Sequence, residues 1–150
     1  MEHELNNLAT ELFRTFARFE YALKAAGFHK GNGAADANWR EFAVSVAALF
    51  DDPQDEDFKE AIAYILDHPP NKQMVEDGVL SWDAAVPQTD LQSDRVLIYV
   101  RRVRNNLFHG GKFNGRWFAP QRSVELLRHS LTILNACLAA SESVNEAYHS

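Results

Sequence analysis

The feature that most constrains this chain is the spacing of large apolar residues near its start. Leu5, Leu8, Leu12, Phe16, Phe19 and Leu23 recur at steps of three and four. Only an α-helix places such residues on one face, so residues 4–26 are predicted to form a long amphipathic helix. A helix with one apolar face must bury it against something, and the rest of the chain offers more of the same kind. Residues 38–50 carry Phe42, Val46, Leu49 and Phe50, with Asp36 or Asn38 available as a cap. Residues 55–67 carry Phe58, Ile62, Ile65 and Leu66, and Pro69-Pro70 ends that pattern. Residues 92–108 carry Val96, Leu97, Val100, Val103 and Leu107, with Ser93 as candidate cap. Residues 121–147 carry Val124, Leu127, Leu131, Leu134 and Leu138.

The stops between helices have their own chemistry. Gly27 and the Gly110-Gly111 pair supply left-handed helix ends. Between the third and fourth helices the period changes. Residues 73–82 read as a β-hairpin about the Asp77-Gly78 turn, expected to lie against the helices because a lone hairpin is marginal. Lys112 to Pro120 reads as a connector with an Asn114-Gly115 turn. The fold expected is all-α, a bundle of about five helices with a small hairpin insert, in a single domain over 1–150.

Composition narrows the setting. One cysteine, Cys137, excludes an intramolecular disulfide and is expected to be a buried, inert thiol in a reducing cytoplasm. His3, His29, His68, His129 and His149 show no metal-ligand spacing, so neither a metal nor another cofactor is expected. The N-terminal residues lack the basic start of a secretory signal, and the charge-free stretch His129–Ser141 is too short for a membrane span of ~20 residues. A cytoplasmic location and no membrane partner are expected. The net charge of −6 excludes a uniformly basic nucleic-acid binder. It hides an asymmetry, because residues 95–128 hold eight basic side chains and one acid, for +7, leaving −13 on the remainder.

The segment Arg101-Arg102-Val103-Arg104-Asn105-Asn106-Leu107-Phe108-His109-Gly110-Gly111-Lys112 lies in that cationic third. Arg104 and His109 are separated by four residues, and Asn105 follows the arginine directly. This pattern, at the end of a helix and ahead of another long one, resembles the signature of the HEPN superfamily (higher eukaryotes and prokaryotes nucleotide-binding). The hairpin is a departure from that family's bundle. The resemblance implies a metal-independent endoribonuclease of the toxin or phage-defence type. It further implies a homodimer whose two motif copies form one composite cleft for RNA. The alternative is a non-catalytic member that binds nucleotide, RNA or protein. An antitoxin or a nucleotidyltransferase is then the further partner to expect.

The residue types suit that chemistry. Attack by a ribose 2′-hydroxyl needs a group that moves protons near neutrality, and histidine titrates at ~6.5. It needs a cation on the phosphorane, and arginine offers a planar fork to phosphate oxygens. His109 is therefore the expected proton-transfer group and Arg104 the phosphate binder. Asn105, four residues before His109 and so on its helix face, is expected to orient the ring or touch RNA beside it. Arg101, Arg102, Asn106 and Lys112 are candidate substrate-binding residues, with ordinary solvated helix-end charge as the other reading. Glu20 sits on or beside the first helix's apolar stripe. It either holds Arg101 or Arg104 from a buried position or reaches water at a boundary. Trp39 and Trp82 are assigned to packing. Trp117 and Phe118 are assigned to packing under the connector, with base stacking as the alternative.

Overall fold

The computed structural model describes residues 2–108, 112–113, 116–117 and 120–150, with side chains described over 2–107 and 121–150. Seven helices and two small hairpins follow in order among those residues. They are α1 (Glu2–Ala25), α2 (Trp39–Ser45), α3 (Ala47–Asp51), α4 (Glu56–Asp67), β1 (Lys72–Glu76), β2 (Val79–Asp83), α5 (Gln92–Phe108), β3 (Lys112–Phe113), β4 (Arg116–Trp117), α6 (Pro120–Ala140) and α7 (Glu142–His149). The helices dominate, as the apolar spacing requires.

α1 ends as its glycine demands. Gly27 has φ 100°, and Phe28 N–H reaches back 2.8 Å to the Leu23 carbonyl, closing the last turn. Asn38 caps α2, accepting from Glu41 N–H at 3.0 Å, and Asp55 caps α4 through Phe58 N–H at 3.0 Å.

Two of the five expected helices are broken. The second splits at Val46, where the Phe42 carbonyl takes both Val46 N–H at 3.1 Å and the Ser45 hydroxyl at 2.7 Å, and Leu49 N–H turns to the Val46 carbonyl three residues back. The last splits at Ser141, whose backbone is extended (φ −116°, ψ 102°). The break turns α7 back onto α1, where Arg18 Nε donates 2.6 Å to the Tyr148 carbonyl and Val144 is fully buried. Both breaks occur without glycine or proline, so apolar periodicity reads straight through them. Ser93 is a further correction. It lies inside the first turn of α5, fully buried, and donates to the Ala43 carbonyl at 2.7 Å instead of capping.

One core joins the helices. α1 lies along α6 and α7, α4 packs on α6, and α2 and α3 pack on α5. Phe16, Phe19, Trp39 and Phe42 form a ring cluster near its centre, with Phe19 and Trp39 stacked at 5.4 Å. Burying each such side chain contributes about 1.5–3 kcal/mol. Cys137 is fully buried, and that burial pushes its thiol far above the ordinary range. No helix among the described residues is long and apolar enough to cross a membrane.

The β1–β2 hairpin forms where the Asp-Gly pair predicts it. Asp77 (φ 51°) and Gly78 (φ 76°) take the two left-handed positions of a tight turn. It leans on α5 through β1, while most of its side chains remain exposed. The connector between α5 and α6 holds a second, two-residue pairing, Lys112 with Trp117 and Phe113 with Arg116. The expected Asn114-Gly115 turn and Phe118 fall outside the described residues.

Candidate functional site

α5 has two different faces. Val96, Leu97, Val100 and Val103 are buried in the core. Ile98, Arg101, Arg102, Asn105 and Asn106 follow the same three-and-four spacing on another face and line an open groove. Lys72 and Gln73 of β1 form its other wall, and the volume is about 450 Å³. Three cations and three amides thus converge with no carboxylate in the lining. A second cavity, about 500 Å³ at the α6–α7 break, is lined by Glu142 and Glu146 with no cation. Between the two, only the α5 groove has the charge to take a phosphate.

The groove is held open by its own polar residues. Arg102 Nη1 donates 2.9 Å to the Ala85 carbonyl, just after β2. Asn106 Nδ2 donates 2.8 Å to the Asn71 carbonyl, just before β1. Two side chains one helical turn apart therefore clamp both roots of the hairpin. Each keeps donors in reserve, since a guanidinium has five N–H groups and an amide two.

Arg101 is anchored differently. Its guanidinium carbon stands 5.6 Å from the centroid of the buried Trp39 ring. Burial lowers its pKa, and the carboxylates of Asp94 and Glu20 act in the opposite direction. Its Nε is buried without a hydrogen-bond partner among the described residues, as is that of Arg95. Glu20 is half-buried, and its Oε2 accepts from the Trp39 indole N–H at 2.9 Å. Glu20, the Trp39 indole and Arg101 thus form a chain in which the carboxylate fixes the ring beneath the cation.

Arg104 lies to one side of the groove lining. Its guanidinium carbon is 5.4 Å from the Phe16 ring centroid, and its Nη1 donates 3.0 Å to Asn105 Oδ1. Asn105 is exposed and lines the groove, so it links Arg104 to that space. His109 falls outside the described residues, as does the side chain of Lys112.

The cationic third of the chain does not form one patch. Arg122 donates to the Pro69 carbonyl at 2.6 Å, and Arg128 pairs with Glu4 and with Glu125. Those residues serve the α1, α4 and α6 contacts. Among the described side chains of that segment, Arg101 and Arg102 line the groove, and Lys72, from outside the segment, joins them. Lys72 and Gln73 were missed in the sequence because nothing local marks them. They reach the site through a chain reversal about 30 residues before α5's polar face.

Trp39 is buried at 4%, as assigned, whereas Trp82 is 47% exposed, which corrects its assignment to packing. The sheet is only two strands wide and nothing described covers its outer face. Among the described residues, no group of three or more His, Cys, Asp or Glu side chains could hold a metal ion. No protein-family model matches the chain, and no curated protein or solved structure matches it either.

Proposed function

We propose that this chain is a HEPN-like, metal-independent endoribonuclease of the toxin or phage-defence type, cytoplasmic and active as a homodimer. The observation that carries the reading is the groove on α5. It gathers Arg101, Arg102, Asn105, Asn106, Lys72 and Gln73 without a lining carboxylate, beside Arg104, which opens the Arg104-x4-His109 sequence pattern. A second copy of so charged a segment would deepen the local field, which clefts focus.

In the reaction, the ribose 2′-hydroxyl gives its proton to His109 acting as base. The freed oxygen attacks the neighbouring phosphorus, and the bond from phosphorus to the 5′-oxygen breaks. That leaving oxygen takes a proton from His109 of the partner subunit, and the product carries a 2′,3′-cyclic phosphate. Arg104 stabilises the negative phosphorane oxygens. Asn105 accepts an Arg104 N–H at 3.0 Å, so it positions that guanidinium beside any role in orienting the histidine.

The test is incubation of the purified protein with single-stranded RNA, with and without EDTA, and mass analysis of the ends. Cyclic phosphate ends are expected, unchanged by EDTA. His109→Ala should lower cleavage by about 10²–10⁴-fold, the range for a lost acid–base group, and Arg104→Ala by about 10²–10³-fold, the range for a lost stabiliser of transition-state charge. Undiminished cleavage by His109→Ala would overturn the mechanism. RNA that the wild-type protein binds and leaves intact would identify a non-catalytic binding module instead.

A further inference from the structure

The β1–β2 hairpin is two-faced in a way that bears on the groove. Its register pairs Lys72 with Asp83, Met74 with Ser81 and Glu76 with Val79 on one face. Gln73 pairs with Trp82, and Val75 with Leu80, on the other. The first face carries three charges. The second carries none, and its apolar members stand in the open, with Val75 and Leu80 each 67% exposed and Trp82 47%. Gln73 of this second face lines the groove, as does Lys72 of the first, so the groove meets the root of β1. Trp82 lies directly across the ladder from Gln73, one strand further from α5 than the groove lining, with Cβ atoms about 5 Å apart by sheet geometry.

We propose that this face is a base-stacking platform, and that the groove takes single-stranded RNA with one unpaired base laid on Trp82. The inference rests on the proposed RNA-binding reading of the groove and adds a base-stacking subsite to it. The occupant is chosen by charge and shape together. Lys72, Arg101 and Arg102 attract a phosphate backbone, and the acidic remainder of the chain repels it elsewhere. The amides of Gln73 and Asn105 offer donors and acceptors to base edges. A half-exposed indole beside such a groove presents a flat surface that an unstacked base can cover, which a base inside a duplex cannot do. The clamps from Arg102 to Ala85 and from Asn106 to Asn71 fix the platform relative to the cations, so backbone and base are gripped at a set separation. The uncharged face, with its open indole, is then a place for a base.

The test measures binding of labelled 2′-O-methyl RNA octamers, which lack the nucleophile, by fluorescence anisotropy. Trp82→Phe keeps a flat ring. Trp82→Ile keeps a strand-forming apolar side chain without one, so a role confined to hairpin folding is served by both. The Ile variant should bind at least about fivefold more weakly than wild type, and the Phe variant should fall between them. A duplex of the same sequence should bind more weakly than the single strand. Lys72→Gln should weaken binding and flatten its salt dependence whatever happens at Trp82. If Lys72→Gln has that effect while Trp82→Ile binds like wild type, the platform is overturned and the groove reading stands. Equal affinity for duplex and single strand also overturns the platform. No binding of any octamer by the wild-type protein overturns both. Loss of a dimer in sedimentation on Trp82→Ile, with RNA affinity unchanged, would assign the face to a second copy of the chain and overturn the inference.

Discussion

The two ends of α5 use polar residues in opposite ways. In the first turn, Ser93 is fully buried and bonded to the Ala43 carbonyl, and Asp94 is paired with Arg40 at 2.8 Å. Gln92 donates to the Phe50 carbonyl at 3.2 Å. Those groups tie the helix to α2 and α3, and their hydrogen-bonding capacity goes to the protein. In the last turns, Arg102 and Asn106 bond to carbonyls at the hairpin roots, Arg101 lies over the Trp39 ring, and Asn105 accepts from Arg104, all four at a groove with donors to spare. Polar side chains thus build the fold at one end and line an open groove at the other. What separates them is whether another helix covers that part of α5.

The largest effect that would test this division lies on the buried face. Leu97 is fully buried between the two ends. Leu97→Ala should cost about 2–5 kcal/mol of stability, read from denaturant midpoints at constant slope. RNA affinity should be unchanged where the variant is still folded. A stability loss well below that range would mean that the core around α5 collapses to fill the space.

Next in size is Ser93→Ala. It removes the donor to a buried carbonyl, which should cost about 1–3 kcal/mol. The groove lies more than one turn away along the helix, so binding should not change. A shift in RNA affinity of the folded variant would break the comparison, because it would couple the structural end to the open one.

The fold was legible where apolar spacing and turn chemistry decide it. The α1 stripe, the Asn38 cap, the Pro69-Pro70 stop and the Asp77-Gly78 hairpin follow from residues close together in sequence. The breaks at Val46 and Ser141 were not legible, because a tightened turn and a docking turn depend on what each helix meets in space. The site divides the same way. Arg101, Arg102, Asn105 and Asn106 share a face by helical spacing alone. That Arg102 and Asn106 hold the hairpin roots, and that Lys72 completes the groove, depends on a contact between distant segments. Trp82 was misread because an aromatic in a strand is usually covered, and a two-stranded ribbon leaves one face without a cover.

The finest test concerns Arg101, which stands between the two ends in character. It is largely buried, like the first-turn residues, yet it lines the groove. Arg101→Lys keeps the charge and loses the planar contact with Trp39, so stability should fall by only about 0.5–1 kcal/mol. If the groove binds RNA phosphate, the lysine variant should bind somewhat more weakly with an unchanged salt slope, because the number of cations is the same. Arg101→Gln removes the charge and should reduce the slope of log affinity against log salt by about 0.7, the value for one phosphate contact on a single strand. It also removes the attraction of that cation for the Glu20 and Asp94 carboxylates, so its stability should fall below that of the lysine variant. An unchanged slope in Arg101→Gln would place Arg101 with Ser93 and Asp94, as a residue that holds the fold. The open end of α5 would then begin one residue later, at Arg102.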